Sequence, residues 1–386
     1  MRLYAHAPAP LARQAHQLMR GEGVIAHQDR HSCLNPQAVA IPRPLHDLLS
    51  ASGPSGHEEA AAAVWRAAAG EFAEVHGDTL GTSFARVGPG SGFTLAVVGH
   101  IDEIGFAVTH VGGDGLLSYG TLGGFEADIL AGQRVVISGR KGPVEGVAVT
   151  RMRYSRRDRG ERGASHDVIH IDIGAQSGEE AAELVAPGDA GVWHGAPLEL
   201  PNGRLVSKAL DNRLGTYVAL ESVRRAAAAG AAVDVVGVAS VQEETGHYGA
   251  RAAAFALSPD VALVIDVTYT TDVPGGDPKR LGKVELGSGA VILRGPVVNR
   301  RVSDLLVETA EAEGIPYAVE VWTGSTHSDA DDIHASGRGI PTGMISIPLR
   351  YMHSPCEMAA LDDLEAVIRL VVAFAMRLTP ETTFLR

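Results

Sequence analysis

Val235-Val236-Gly237-Val238-Ala239-Ser240-Val241-Gln242-Glu243-Glu244 is the stretch on which the reading of this chain turns. An unbroken apolar run of strand length reads as a strand buried on both faces, the pattern of a parallel sheet covered by helices. This strand ends in two adjacent carboxylates. Like charges at the end of a buried strand cost stability unless cations or protons neutralise them. One glutamate could ligate a metal while its neighbour takes a proton from water. A solvated Glu-Glu pair is common on loops but fits poorly after so apolar a strand.

Other strand-like runs also lead to residues that a metal would want. Phe93 to Val98 is continuous and apolar, and His100-Ile101-Asp102 follows it. In extended chain His100 and Asp102 project to the same side. His100 could bind a metal through one ring nitrogen while Asp102 holds the other N–H; a hydrogen-bonded buried histidine is the plain alternative. Asp211 opens a helix after Lys208-Ala209-Leu210. It reads as an N-cap, or as a carboxylate bridging two cations about 3.5–4 Å apart, with Asn212 and Arg213 bracing it. Asp266 interrupts Leu263-Val264-Ile265 at a buried strand's end, where it needs a metal, an arginine or a backbone N–H. His353 sits before Ser354-Pro355 on a rigid turn, with a surface histidine as the alternative. In an open α/β sheet, ligands gather at the carboxyl ends of the strands, and together these positions imply a metal-dependent hydrolase. The cluster from Thr326 to His334 lacks the glycine and distal glutamate of a calcium loop. It reads as a glycine-flanked loop lining a cleft, or as a helix start with acidic caps.

The rest of the chain fits around these motifs. Its 386 residues exceed one ordinary core. Residues 1–40 read as an N-terminal extension with no catalytic part. Residues 41–104 and 203–386 alternate helix and strand, which predicts an α/β catalytic domain whose mixed sheet is sandwiched by helices. Residues 105–202 are glycine-rich with short strands, and read as an inserted, small β-rich domain. The net charge of −13 argues against a phosphate-binding surface and so against a nucleic-acid partner. The arginine-rich stretch from Arg151 to Arg162 reads as a solvated loop or subunit contact, since only Tyr154 interleaves. Cys33 and Cys356 form no disulfide framework, which suits a reducing, cytoplasmic setting. No apolar run reaches membrane-span length, so no membrane partner is expected, and the N-terminus lacks the apolar segment of a signal peptide.

At four motifs the chain resembles the co-catalytic two-metal aminopeptidases of the tetrahedral (TET) and glutamyl-aminopeptidase family. They are Gly99-His100-Ile101-Asp102-Glu103-Ile104-Gly105, Lys208-Ala209-Leu210-Asp211-Asn212-Arg213, Gln242-Glu243-Glu244-Thr245-Gly246, and Arg350-Tyr351-Met352-His353-Ser354-Pro355. Leu122-Gly123-Gly124, Gly132-Gln133-Arg134-Val135 and Ile169 to Ala175 resemble the family's inserted dimerisation domain. The resemblance runs from about Pro42 to the C-terminus. It implies that Asp211 bridges two divalent ions, zinc or cobalt, with Glu244 and His353 on one and His100 and Asp266 on the other. It makes Glu243 the general base and Asp102 the residue that orients His100. It further implies removal of N-terminal residues from short peptides, and a dimer-based homo-oligomer that extends to a dodecamer in relatives. The chain departs from the family at Ser325 to Asp331, where relatives carry a shorter Gly-Thr-Asp-Ala-type segment, and this bears on side-chain preference. The rival activities are a two-metal carboxypeptidase or N-acyl amino-acid deacylase, a metal-free glycosidase, and a scaffold that has lost its chemistry.

Overall fold

The computed structural model describes residues 41–150 and 166–385. The chain divides into Met1–Ala38 and Val39–Arg386, and the description below concerns the second unit. The expected extension at residues 1–40 and the arginines between Arg151 and Arg162 lie outside the described residues.

An eight-stranded mixed sheet forms the centre. Its four inner strands, Asp234–Ser240, Thr94–His100, Val261–Tyr269 and Thr342–Leu349, run parallel in that order. Ser83–Val87 and Glu74–Gly77 extend one edge, and Ala290–Arg294 and Tyr317–Val321 the other. The inner strands carry apolar side chains on both faces, as the sequence predicts. Leu95, Val97, Val235, Leu263 and Ile345 join one core with the helices Arg43–Ser50, Glu59–Ala69, Leu210–Ala229, Arg300–Ala312 and Leu361–Met376. Ala96, Val98, Val236 and Val264 join a second core under the helix Tyr248–Leu257 and the short turn Ala330–Ile333. The fold is therefore the α/β sheet covered on both faces that the strand-helix alternation predicts.

Between Gly105 and Trp193, six strands close into a barrel with its own core around Phe106, Leu130, Ile137, Ile171 and Trp193. Leu198–Leu200 pairs instead with Arg204–Ser207, in a three-stranded sheet completed by Glu357–Ala360. Among the described residues no helix is long and apolar enough to cross a membrane.

Two features bring the strand ends onto the start of the helix Leu210–Ala229. The first is a backbone contact between glycines. A Cβ on Gly99 would lie 2.7 Å from Thr216 N and closer still to Gly215, and one on Gly215 would lie 2.6 Å from Ile265 O. The second is a buried ionic knot. Glu103 accepts from Lys208 Nζ at 2.7 Å and from Arg213 Nη2 at 3.3 Å. Arg213 is fully buried, and its remaining donors reach Ile101 O, Leu48 O and Ala51 O. A charge so deep is tolerable only because one carboxylate and three backbone carbonyls accept from it.

Gly99→Ala and Gly215→Ala should each lower unfolding stability by about 1–3 kcal/mol, because neither backbone can retreat without opening the sheet–helix contact. Urea denaturation tests this, and a parent-like midpoint in both variants would contradict the argument.

Candidate metal centre

All the predicted site residues come together at one edge of the central sheet. His100 ends the strand Thr94–His100 and is almost fully buried. Its Nε2 lies 3.1 Å from Asp211 Oδ1, 3.7 Å from Glu243 Oε2 and 4.0 Å from Asp266 Oδ1. The ring thus points into a nest of carboxylates, beyond the needs of a satisfied core histidine. Asp211 is not an N-cap: it and Asn212 hold non-helical φ/ψ at the kinked start of the helix, and the capping side chain is Asn212, whose Oδ1 accepts from Gly215 N at 2.8 Å. The Asp211 carboxylate lies between two imidazoles, Oδ1 toward His100 and Oδ2 3.3 Å from His353 Nε2. His353 Nε2 is also 3.7 Å from Glu244 Oε1.

Asp266 departs from the expected strand end. Its strand runs on to Tyr269, paired with Thr342–Leu349. On the other side, pairing with Thr94–His100 stops at Val264 opposite Val98. The ladder ends on one flank only, and Asp266 lies beside the resulting gap. Its carboxylate accepts a hydrogen bond from Val267 N to Oδ1, at 2.8 Å.

Asp102 contacts more than His100. Its Oδ1 lies 3.4 Å from His100 Nδ1, which is also 3.3 Å from the Asp102 carbonyl. The same carboxylate accepts from Glu243 N and Glu244 N, both at 3.1 Å, and from Ser55 Oγ at 2.5 Å. Glu357 was not expected from the sequence. Fully buried, it accepts from Asp211 N at 3.0 Å and from His353 N at 2.9 Å, joining two of the predicted ligands from behind. The one sequence signal for it is an acidic residue opening the apolar Glu357–Ala360 strand, four positions after His353. The turn before the second helix also contributes: Ser55 reaches Asp102, and Gly53 N donates to Glu103.

His100, Asp211, Glu243, Glu244, Asp266 and His353 line a cavity of about 380 Å³, within the range of small-ligand sites. Thr326, His327 and Ser328 line it too, so that segment is a cleft-lining loop. Gly124 borders it from the barrel side. Its neighbour Gly123, with φ +77°, is so near that a Cβ would lie 3.1 Å from Glu244 Oε2.

The electrostatics test whether cations fit. Burial, then repulsion from Asp211, pushes Glu244 up to about 8. Burial and the Asp211 charge push Asp266 up to about 8 against the pull of His100. Burial drives Glu243 well upward, aided by Asp266 and Asp329. Asp211 is held low despite burial by hydrogen bonds to His100 and His353. His353 rises to about 10 against burial, held by Asp211, Glu244 and Glu357. The site demands positive charge and takes protons when no metal supplies it. Three donor sets have their ligand atoms within 4.8 Å: His100, Asp211 and Asp266; Asp211, Glu244 and His353; and His100, Glu243 and Glu244. Mixed imidazole and carboxylate donors suit zinc or cobalt.

These features define a buried centre able to hold divalent cations at the end of an α/β sheet. The sequence profile of the M42 glutamyl aminopeptidase family matches residues 81–370. The lysyl aminopeptidase of Pyrococcus furiosus is 35% identical over 312 residues, covering 80% of this chain and 88% of its own. A TET aminopeptidase from a marine sediment archaeon of the Thaumarchaeota superposes with TM-score 0.83 at 33% identity, over 87% of this chain and 96% of that one. The TET1 peptidase of Pyrococcus horikoshii, described as assembling into a tetrahedron or a large octahedral shell, gives TM-score 0.78 at 28% identity, over 87% and 99%. The chain belongs to the M42 family and is a metal-dependent aminopeptidase, a hydrolase of peptide bonds.

The raised carboxylates fix the sign of a pH effect. Groups whose folded pKa is raised favour the folded state below their ordinary values, and that contribution is lost as pH climbs through the folded value. For Glu244 and Asp266 the window runs from about 4 to about 8, and for His353 from 6.5 to about 10. Chelated protein should therefore lose Tm steadily from acid to alkaline pH, while zinc-loaded protein should not, the gap widening by about 5 °C or more. Thermal scans with and without chelator check this; a gap that is constant with pH contradicts it.

Proposed function

We propose that the centre holds two divalent ions, zinc or cobalt. Asp211 would be shared between them, Glu244 and His353 would complete one set, and His100 and Asp266 the other. The observation that carries this reading is the Asp211 carboxylate, whose two oxygens face different histidines. The bound cations would supply Lewis acidity, polarising the scissile carbonyl and bringing the pKa of water toward neutrality. Glu243, driven toward protonation by burial, is suited to take a proton from the attacking water and return it to the leaving amine. Asp102 keeps the His100 ring in place and, through two backbone N–H groups, sets the position of Glu243 and Glu244. The substrate is a short peptide with a free N-terminus. A 380 Å³ cavity suits a terminal side chain and its neighbour better than a folded chain.

We further propose that residues 41–104 and 203–386 form the catalytic domain, that residues 105–202 form the dimerisation domain, and that residues 1–40 take no part in catalysis. The tetrahedron or large octahedral shell described for the Pyrococcus horikoshii relative, and the dodecamer described for another TET1 structure, support a homo-oligomer, which we take to be built from dimers and to extend to a dodecamer. The free thiol of exposed Cys356 fits a reducing, cytoplasmic setting.

Glu243→Gln should keep metal content and Tm yet lose about 10²–10⁴ in kcat. Near-parent turnover in that variant would refute its role as base. Parallel assays with aminoacyl-nitroanilides and N-acetylated amino acids separate exopeptidase from deacylase action, and the first set alone should be hydrolysed.

A further inference from the structure

The proposed base has two carboxylate oxygens, and they face different ways. Glu243 Oε2 lies 3.7 Å from His100 Nε2, on the side of the candidate metals. Glu243 Oε1 lies 3.4 Å from Nε2 of a second histidine, His247. His247 Nδ1 is 3.0 Å from Asp332 Oδ2, and Arg251 reaches Asp332 Oδ1 with Nε at 2.8 Å and Nη2 at 2.7 Å. The row runs outward from the buried Glu243 through His247 and Asp332, each with a side chain 21% exposed, to Arg251 at 60%.

Local chain geometry explains how these groups meet. After the strand Asp234–Ser240, Gly246 N and His247 N both donate to the Glu243 carbonyl, at 3.0 and 3.1 Å, closing a tight turn. His247, with φ +56°, then stands at the position before the helix Tyr248–Leu257, its side chain making no cap bond. Arg251 follows one helical turn later on the same face. Asp332 comes from the short turn Ala330–Ile333, beyond the cleft-lining loop. The acceptor at Nδ1 fixes the ring, so Nε2 is aimed at Glu243 whichever of the two holds the proton.

We infer that His247, held by Asp332 and Arg251, is a positioning residue for Glu243: it occupies Oε1 and leaves Oε2 to meet the attacking water. The inference rests on Glu243 being the base. In that reaction the water oxygen bonds to the carbonyl carbon while one water proton passes to Glu243 Oε2. The same proton moves to the nitrogen of the breaking C–N bond. The other water proton stays with the product carboxyl group and is shed to solvent. His247 gains and loses nothing over the cycle. Its part is to keep the carboxylate from rotating, and a carboxylate that turns away from the water forfeits the alignment on which proton transfer depends.

The test uses full-length protein loaded with cobalt and the aminoacyl-nitroanilide that the parent turns over fastest. Glu243→Gln, His247→Ala, His247→Gln and Asp332→Asn are compared for kcat, KM, metal stoichiometry and Tm. His247→Ala should lower kcat about ten-fold, with KM, metal content and Tm near parent values. His247→Gln, whose amide can stand in for Nε2, should recover most of the loss. Asp332→Asn should lower kcat alone but add little on top of His247→Ala, as expected for residues acting in one chain. Parent-like kcat in His247→Ala, a change confined to KM, loss of metal, or no recovery in His247→Gln would each overturn the inference. If Glu243→Gln is inactive and His247→Ala is not impaired, only the role of His247 falls. If Glu243→Gln stays active, the base assignment falls, and the role of His247 with it.

Discussion

Carboxyl groups removed from water and set beside one another cannot all stay ionised without positive charge among them. Asp211, Glu243, Glu244, Asp266 and Glu357 meet in this condition at one sheet edge, four of them with their affinity for protons raised by burial. His100 and His353 are drawn toward their charged forms by the same field, but two imidazoliums cannot offset the whole set. A divalent pair could satisfy that need and free the histidines to act as neutral ligands, so metal binding and proton release are linked. The centre is a place where the fold stores unfavourable electrostatics and the family's chemistry uses them.

Holding such a centre together requires positive charge and rigid backbone close behind it. Lys208 and Arg213 flank the Asp211 segment, and both pair with Glu103 rather than with the carboxylates lining the cavity. The knot ties the end of the His100 strand to the start of the long helix without lending cations to the cavity. Asn212 adds a third tie, donating to Ile265 O one residue before Asp266 and accepting from Gly215 N. A short run of sequence therefore fixes three separate pieces of chain, and the glycine contact at Gly99 and Gly215 lets them approach. In this arrangement the position of Asp211 between its two histidines is set by the scaffold before any ion arrives.

Much of this was legible in the sequence, for a definable reason. His100, Glu243 and Glu244 stand out because they close apolar strands, a setting where their charge is costly. The inner strands are legible because burial on both faces leaves long unbroken apolar runs. The edge strands Glu74–Gly77 and Tyr317–Val321 were missed, being short and less apolar, with stability that comes from their neighbours; Ala290–Arg294, apolar and paired on both sides, was missed because its run is only five residues long. Glu357 was missed because an acid at the start of a strand is ordinary until the chain wraps Asp211 and His353 around it. Asp102 was read for one of its two tasks. Its hold on Glu243 N and Glu244 N depends on bringing together segments some 140 residues apart, which no local pattern announces. Asp266 was placed at a strand end because the apolar run stops there, whereas pairing stops on one flank only.

The segment after Trp322 joins two properties usually thought of separately. Asp331 accepts from Thr326 N, Thr326 Oγ1 and His327 N, which sets the loop whose Thr326, His327 and Ser328 line the cavity. His327 lies edge-on to Trp322, and both rings line the cavity. The adjacent Asp332 turns the other way and holds His247 against Glu243. Neighbouring aspartates thus hold the cavity loop on one side and the row of groups that ends on Glu243 on the other. A change in this segment that reshapes the pocket for a different N-terminal residue will also shift the backbone carrying Asp332. Substrate preference and turnover should then move together here, even for substitutions that touch neither the proposed metal ligands nor Glu243.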